Sequence, residues 1–360
     1  MRTAGGGLDP ESRIDALMCA YQGAVPGAGV VVLHAGVPVF RRAYGLSNVE
    51  SGIAATCETN YRLASMTKQF TAAAILLLAE DGRLSIDDPV RRWLRTLPDA
   101  AEAVTIRHCL THSSGLMDFE YLIPDGTDTQ LRDADVLRLL EAENRNYFSP
   151  GKKYRYSNTA YVLLALIAEA ASGKHFASFL QERVFQPLHM RNTVAFEPGI
   201  SAVAHRAFGY SAAQQSWTRT DQSLTSATLG DGGIYSSIDD LAKWDAAWGD
   251  GRLLRPASLH LAFTAAIQTD DAAVQYGFGW RITGETRWHS GESMGFRNVI
   301  VRYLERRFTV IVLTNRDDPS PYPTALAIAK IFLPAAAAAP AAQTASGPDA
   351  GARPLPRGRE

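Results

Sequence analysis

Strand-like runs occur at two places far apart in the chain, and most of what lies between them has helical spacing. The stretch GVVVLHAGVPVFRRAYG (29–45) is two β-rich runs around Ala35-Gly36, a hairpin in which Pro38 marks an edge or a bulge. From about residue 277 the pattern returns as YGFGWRIT, TRWHS, RNVIVRY and FTVIVLTN, the last two joined by a Leu-Glu-Arg-Arg turn. If both sets share one antiparallel sheet, the architecture is α+β and discontinuous. The expected sheet domain is built from 1–85 and 272–333 and carries the terminal helices. A mostly helical domain, 86–271, faces the sheet edge, and the cleft between the two is the natural place for a site.

The helices have recognisable starts and stops. Residues 9–22 read as an amphipathic helix with Asp9 as N-cap and Pro10 in the first position. In SMTKQFTAAAILLLAED (65–81) the residues Phe70, Ala73, Ala74, Leu77 and Leu78 recur at helical spacing, and Gly82 ends the run. TAYVLLALIAEAA (159–171) is the most apolar helix of the middle, whereas 118–150 reads as an irregular, aromatic-bearing wall or lid. A last helix is expected over about 323–333, followed by a disordered Ala/Pro-rich tail over 334–360.

Composition narrows the partners. Lys+Arg number 36 against 37 Asp+Glu, a net charge of -1, which leaves no footprint for nucleic acid or an anionic membrane and points to a small-molecule partner. The apolar run AAAILLLA (72–79) falls well short of the roughly 20 residues of a membrane span. MRTAGGGLDPESRI lacks the apolar core of a secretory signal, so a cytoplasmic location follows by default. Nothing in the sequence fixes an oligomeric state. Cys19, Cys57 and Cys109 are too few and scattered for a disulfide framework, and read as free thiols packed as small apolar residues.

Several segments compete for the chemistry. Gly291, Ser293 and Gly295 in HSGESMGF fit G-x-S-x-G, but the next residues alternate as a strand, and His289 is the last histidine in the chain. A nucleophile elbow needs a following helix and a downstream histidine, so turn glycines between two strands explain the match better. S-x-x-K needs no histidine: serine and lysine three apart share a helix face, and the helix N-terminus favours the alkoxide. Ser149-Pro150-Gly151-Lys152 would form a turn, which leaves Ser65-Met66-Thr67-Lys68. A lysine amine pressed into such a site can lose its charge and accept the serine proton. In Tyr156-Ser157-Asn158 an extended chain would aim Tyr156 and Asn158 to one side. A tyrosine beside an ammonium can shuttle protons, and asparagine offers a donor and an acceptor to a substrate amide. His289, Ser290 and Gly291 supply a basic residue, a hydroxyl and room for substrate backbone at a strand edge. The N–H groups of Glu292 and Ser65 would then make an oxyanion hole. His108 and His112, four apart, could hold a metal on a helix, but no third ligand is apparent. Structural hydrogen bonding is the preferred reading, and no metal or organic cofactor is expected.

The ordered set of S-x-x-K, Tyr-x-Asn and His-x-Gly resembles the class C β-lactamase and DD-peptidase-like serine hydrolases, in which Tyr-x-Asn replaces Ser-x-Asn. NYRLASMTKQFTAAAILLLAEDGRLSIDDPV, TIRHCLTHSSGL, FSPGKKYRYSNTAYVLLALI and LGDGGIYSSIDDLAKW look like family segments in family order, and the resemblance runs from about residue 25 to 333. It implies a β-lactamase/transpeptidase-like fold and an acyl-enzyme mechanism on a small amide or ester. Ser65 would be the nucleophile, Lys68 and Tyr156 the coupled base, and Asn158 with His289–Glu292 the substrate-binding set. An acyltransferase, or a penicillin-binding sensor that is acylated without turnover, would use the same residues. The departure is His289, where specialised β-lactamases carry lysine. That substitution puts antibiotic resistance in doubt as a main role and leaves two states open for His289: a carboxylate-binding imidazolium that titrates near pH ~6.5, or a neutral ring that only hydrogen-bonds. No deacylating glutamate can be placed, so Tyr156 and Lys68 would also activate the water.

Overall fold

A computed structural model of the chain describes residues 9–214 and 216–333; the tail expected to be disordered, 334–360, lies outside them. The two strand sets do share one sheet. Its eight strands, all antiparallel, run in the order Ile267–Gln268, Gln275–Tyr276, Arg281–Thr283, Thr286–Ser293, Phe296–Tyr303, Phe308–Thr314, Ala28–His34, Val37–Tyr44. The hairpin at Ala35-Gly36 leaves Val37–Tyr44 at one edge, and the register shifts between Val32 and Leu33, beside Pro38.

The central strands are apolar on both sides because both faces of the sheet are covered. Val30, Val32, Val299, Val301, Val310 and Val312 point to one face, where they meet Ile14 of the Pro10–Leu17 helix and Ile328 of the Pro321–Phe332 helix. Val31, Leu33, Ile300, Ile311 and Leu313 point to the other, against the large core that includes the Lys68–Glu80, Asn158–Ser172 and Ile238–Asp250 helices. That second layer sandwiches Lys68–Glu80 so fully that Lys68 through Leu78 are all buried.

Four details differ from the sequence reading. The first helix ends at Leu17 and continues as a short 3₁₀ turn, Cys19–Tyr21; Asp9 caps it, accepting from the Ser12 N–H at 3.1 Å. The 118–150 segment contains a real helix, Asp133–Glu141, whose apolar stripe buries Val136 and Leu140. The helical middle also carries strands: a Tyr210–Ala213/Ser216–Arg219 hairpin, and Val194–Ala195 and Ile234–Ser236, which join Tyr61–Arg62 in a small sheet. Finally, Cys109 is buried as a small apolar residue, but Cys19 is exposed. Among the described residues no single helix is long and apolar enough to cross a membrane.

Candidate active site

Ser65 does not sit on the α-helix that the spacing suggested. It lies on a 3₁₀ turn, Ala64–Thr67, and the α-helix begins only at Lys68. With three residues per turn, side chains i and i+3 eclipse, so Ser65 and Lys68 stack more directly than on an α-helix. Lys68 Nζ donates to Ser65 Oγ at 3.1 Å. The turn is entered through Ala64, whose φ of 49° lies in the left-handed region that side chains disfavour.

Long-range contacts hold that strained entry. The Leu63 N–H donates to the Ile234 carbonyl at 2.8 Å, and the Asn298 amide donates to the Arg62 carbonyl at 2.8 Å. Gly291, opposite Asn298 in the sheet, lets the Thr286–Ser293 strand reach the turn. A Cβ on Gly291 would lie 1.9 Å from the Leu63 carbonyl oxygen, so only glycine fits. Beyond Trp288 the same strand has no partner on its Arg281–Thr283 side among the described residues, which leaves the backbone of 289–293, Glu292 included, open beside Ser65.

The second segment arrives on the Asn158–Ser172 helix. Ser157 is the N-cap, its Oγ accepting from the Ala160 N–H at 3.2 Å, so Asn158 opens the helix instead of continuing an extended chain. Asn158 Oδ1 accepts from Lys68 Nζ at 2.8 Å, and its amide donates to Glu120 Oε1 at 3.0 Å. The Asp231 carbonyl takes a third bond from Lys68 Nζ at 3.0 Å. Nζ also lies 4.8 Å from the centre of the Tyr156 ring. Lys68 is fully buried, whereas Ser65, Tyr156 and Asn158 are partly exposed.

His112 frames Tyr156 from below. Its carbonyl accepts the Arg155 N–H at 2.8 Å, and its Nδ1 accepts the Ser157 N–H at 3.1 Å, which pins the chain on both sides of Tyr156. Its ring lies 4.3 Å from that of Tyr156 and 4.6 Å from that of Tyr276. Burial, with Lys68, His289 and Arg281 nearby, drives its pKa far below the ordinary imidazole value. Since Nδ1 is an acceptor, the neutral ring carries its proton on Nε2. His108 is committed elsewhere: its Nδ1 accepts the Thr105 N–H at 3.2 Å. Both histidines thus do structural work.

Of the two states open to His289, its surroundings fit the neutral one. The ring is buried, its Nδ1 lies 2.6 Å from the Ser290 carbonyl, and its Nε2 lies 3.0 Å from the Tyr276 hydroxyl. A carbonyl only accepts, so Nδ1 carries the proton and Nε2 accepts from Tyr276. Burial first, then Arg281 and Lys68, push its pKa well below the ordinary value, against the opposing pull of the Ser290 carbonyl. A neutral ring with both nitrogens engaged offers no charge to a substrate. The cations nearby are Lys68 and Arg281, the latter's guanidinium 5.6 Å from the Tyr156 ring centre and 5.5 Å from that of Trp288.

The opposite wall is acidic. Glu120 is exposed as a residue, yet its carboxyl is crowded against Asn158; desolvation raises its pKa and the Asn158 bond opposes that rise. Asp118, which accepts from Thr159 Oγ1 at 3.2 Å, is pushed up to about 7, chiefly by burial and then by Glu120. Asp231 is buried too, which raises its pKa against the pull of Lys68. Ser293 ends a strand and is followed by a Met294-Gly295 turn into Phe296–Tyr303, so it belongs to a hairpin and not to a nucleophile elbow. Sequence reasoning missed His112 as a support for Tyr156, and it missed Tyr276, Arg281 and Glu120 altogether; only the wall reading of 118–150 hinted at Glu120.

The comparisons with known proteins agree with this architecture. Penicillin-binding protein 4* of Bacillus subtilis (strain 168) is 31% identical over 316 residues, 82% of this chain and 70% of that protein. The D-aminopeptidase of Gluconobacter oxydans (strain 621H) is 28% identical over 313 residues, 85% of this chain but only 58% of the relative, so this chain spans a little over half of it. Among solved structures, the octameric penicillin-binding protein homologue from Pyrococcus abyssi superposes with a TM-score of 0.79 at 28% identity, covering 90% of this chain and 76% of that one. The Beta-lactamase family profile matches residues 11–332. With a family match over nearly all the described residues and the fold shared with solved relatives, the chain belongs to the Beta-lactamase family.

Proposed function

We propose that the chain is a serine hydrolase that forms and then hydrolyses an acyl-enzyme on a small amide or ester. The observation that carries the reading is the setting of Lys68 Nζ, within hydrogen-bond reach of Ser65 Oγ, Asn158 Oδ1 and the Asp231 carbonyl. Three acceptors match the three donors of an ammonium, and an ammonium beside a phenol favours the phenolate. Tyr156, coupled to Lys68, takes the proton as Ser65 Oγ bonds to the substrate carbonyl carbon. The resulting oxyanion rests on the N–H groups of Ser65 and Glu292, and Tyr156 then protonates the departing nitrogen or oxygen. In the second half water attacks the ester, Tyr156 takes its proton, and Ser65 is released with that proton restored.

The charges around this centre suggest the substrate. With His289 neutral, Arg281 supplies positive charge on the Tyr156 side, where the leaving group departs, while Glu120 makes the Asn158 side negative. Such polarity suits an acyl donor bearing an ammonium and a leaving group bearing a carboxylate, as in a small dipeptide. Similarity to the D-aminopeptidase supports that choice over a neutral ester.

The test is intact-mass analysis with a chromogenic cephalosporin, a D-alanyl anilide and a p-nitrophenyl ester, combined with steady-state turnover. An adduct should map to Ser65 and vanish in Ser65→Ala, while Ser293→Ala keeps it. Turnover in Ser65→Ala, or an adduct on Ser293, would overturn the reading. A single burst without further turnover would replace the hydrolase by an acylated sensor.

A further inference from the structure

A cavity of about 750 Å³ lies away from Ser65, beneath the Ile238–Asp250 and Pro256–Phe263 helices, at the sheet end where the Ala35-Gly36 and 304–307 turns meet. None of the Ser65, Lys68, Tyr156, Asn158 and His289 set lines it. Four arginines do: Arg252, Arg287, Arg302 and Arg307, with Trp248 and Phe263 as apolar wall.

Its acids are already taken. Arg302 Nη1 holds Asp245 Oδ1 at 2.7 Å, and Arg252 Nε holds Asp250 Oδ2 at 2.6 Å. Arg287 donates only to carbonyls, those of Phe263, Gly284 and Thr286, and among the described residues neither it nor Arg307 meets a carboxylate at ion-pairing distance. Burial lowers the pKa of Arg287, and Glu305 opposes that only through space.

Two further observations say the positive charge is built in. Arg287 and Arg302 stand directly opposite each other on neighbouring strands, and among the described residues the pair has one carboxylate partner, Asp245, which holds Arg302 alone. Gly249, inside the last turn of its helix, costs about 1 kcal/mol relative to alanine. A Cβ there would lie 2.9 Å from Arg302 Nη2, so the glycine keeps space open around that guanidinium. Arg302 Nη1 is used by Asp245, while Nη2 has no protein acceptor among the described residues.

We propose that this cavity is a binding site for a small oxyanion-bearing ligand with an apolar body, a carboxylate or a phosphate monoester, held by Arg287 and Arg302 with Trp248 and Phe263 against its apolar part. The volume is within the usual range for small-ligand sites, and planar guanidinium forks suit either oxyanion. The site is separate from the acyl-enzyme chemistry, so it stands whether or not that reading holds.

Calorimetric titration of the full chain with phenyl phosphate, benzoate and inorganic phosphate, at matched ionic strength, tests it. Saturable binding of phenyl phosphate or benzoate is expected, tighter than inorganic phosphate, and unchanged in Ser65→Ala. The tighter of the two aromatic probes identifies the oxyanion. Arg287→Gln should weaken the binding about tenfold, the equivalent of one hydrogen bond to a charged group. Since Arg287 also ties three carbonyls, Gly249→Leu is the second variant: it keeps every arginine and fills the space by Arg302, and should cost at least as much. Absence of saturable binding in the unaltered protein overturns the proposal, as does equal affinity in Gly249→Leu.

Discussion

Replacing His112 by phenylalanine separates its hydrogen bond from its bulk. The variant keeps a ring against Tyr156 and Tyr276, and the backbone bond from Arg155 N–H to the residue 112 carbonyl survives. What disappears is the Nδ1 acceptor for the buried Ser157 N–H, now 3.1 Å away. A buried donor left unpaired costs about 1–3 kcal/mol. At roughly 2–4 °C per kcal/mol for a chain of 150–250 residues, a 2 kcal/mol loss lowers Tm by about 4 °C here, where the chain is longer. The functional cost should be larger than the thermal one. Ser157 is both the helix cap and the neighbour of Tyr156, and a shift of about 1 Å in a reacting group can cost 10²-fold in rate. His112→Asn is the control, because Asn Oδ1 can take the place of Nδ1 and asparagine tolerates the left-handed φ of 55°. Scanning calorimetry and kcat on one chromogenic ester should show the phenylalanine variant impaired in both and the asparagine variant recovering kcat. If phenylalanine leaves Tm and kcat unchanged, the Nδ1 tether does not position Tyr156.

Three other outcomes follow from the same geometry. Tyr156→Phe should lower kcat by about 10²–10⁴ with little change in KM, as expected for loss of a general acid–base; a loss confined to KM would reduce Tyr156 to a binding residue. The stability penalty of His112→Phe should shrink in acid. The folded pKa of His112 is depressed, so above pH ~6.5 both states are neutral and its contribution is whole, while below that value the unfolded chain takes up a proton that the fold refuses. At pH 5.5 the unaltered protein should have lost about 1.4 kcal/mol that the variant never had, and a penalty constant from pH 7.5 to 5.5 in denaturant titrations would refute a neutral His112. Gly291→Ala should abolish acylation by forcing the Leu63 carbonyl away from a Cβ placed 1.9 Å from it; a normal rate of Ser65 labelling would show that the strand can retreat without harm.

The parts legible in the sequence were those encoded by short-range pattern. The two strand groups read clearly because a strand covered on both faces is apolar throughout, as in FTVIVLT, and helix Asn158–Ser172 because it is apolar all round. Asp133–Glu141 was hidden by the glycines, prolines and aromatics that flank it, though DADVLRLL carries the period. Ser65 and Lys68 were found by spacing, but the 3₁₀ turn was not, because the left-handed Ala64 is imposed by Gly291, Asn298 and Ile234, all more than 160 positions away. The charge state of His289 stayed open in the sequence for the same reason. Its type suggested titration near neutrality, while its neutrality comes from burial and from the hydroxyl of Tyr276, and neither leaves a local signature. His112 read as a structural hydrogen-bonding residue, but what it supports did not show, because its partner Ser157 lies 45 residues on.

The interleaved sheet also sets a timetable. Ala28–His34 is an inner strand, and its neighbour on one side, Phe308–Thr314, is made about 260 residues after Tyr44. During synthesis at about 5–20 residues per second, the Ala28–Tyr44 hairpin waits roughly 13–53 s for that partner, with one strand edge unpaired and apolar side chains on both faces. Ser65 waits too. The glycine strand that settles its turn is some 220 residues downstream, so the serine emerges roughly 11–45 s before the 289–293 backbone can reach it. On the proposed chemistry, a nascent chain therefore carries Ser65 in an unarmed state, and the same delay leaves an apolar strand edge of the N-terminal hairpin uncovered.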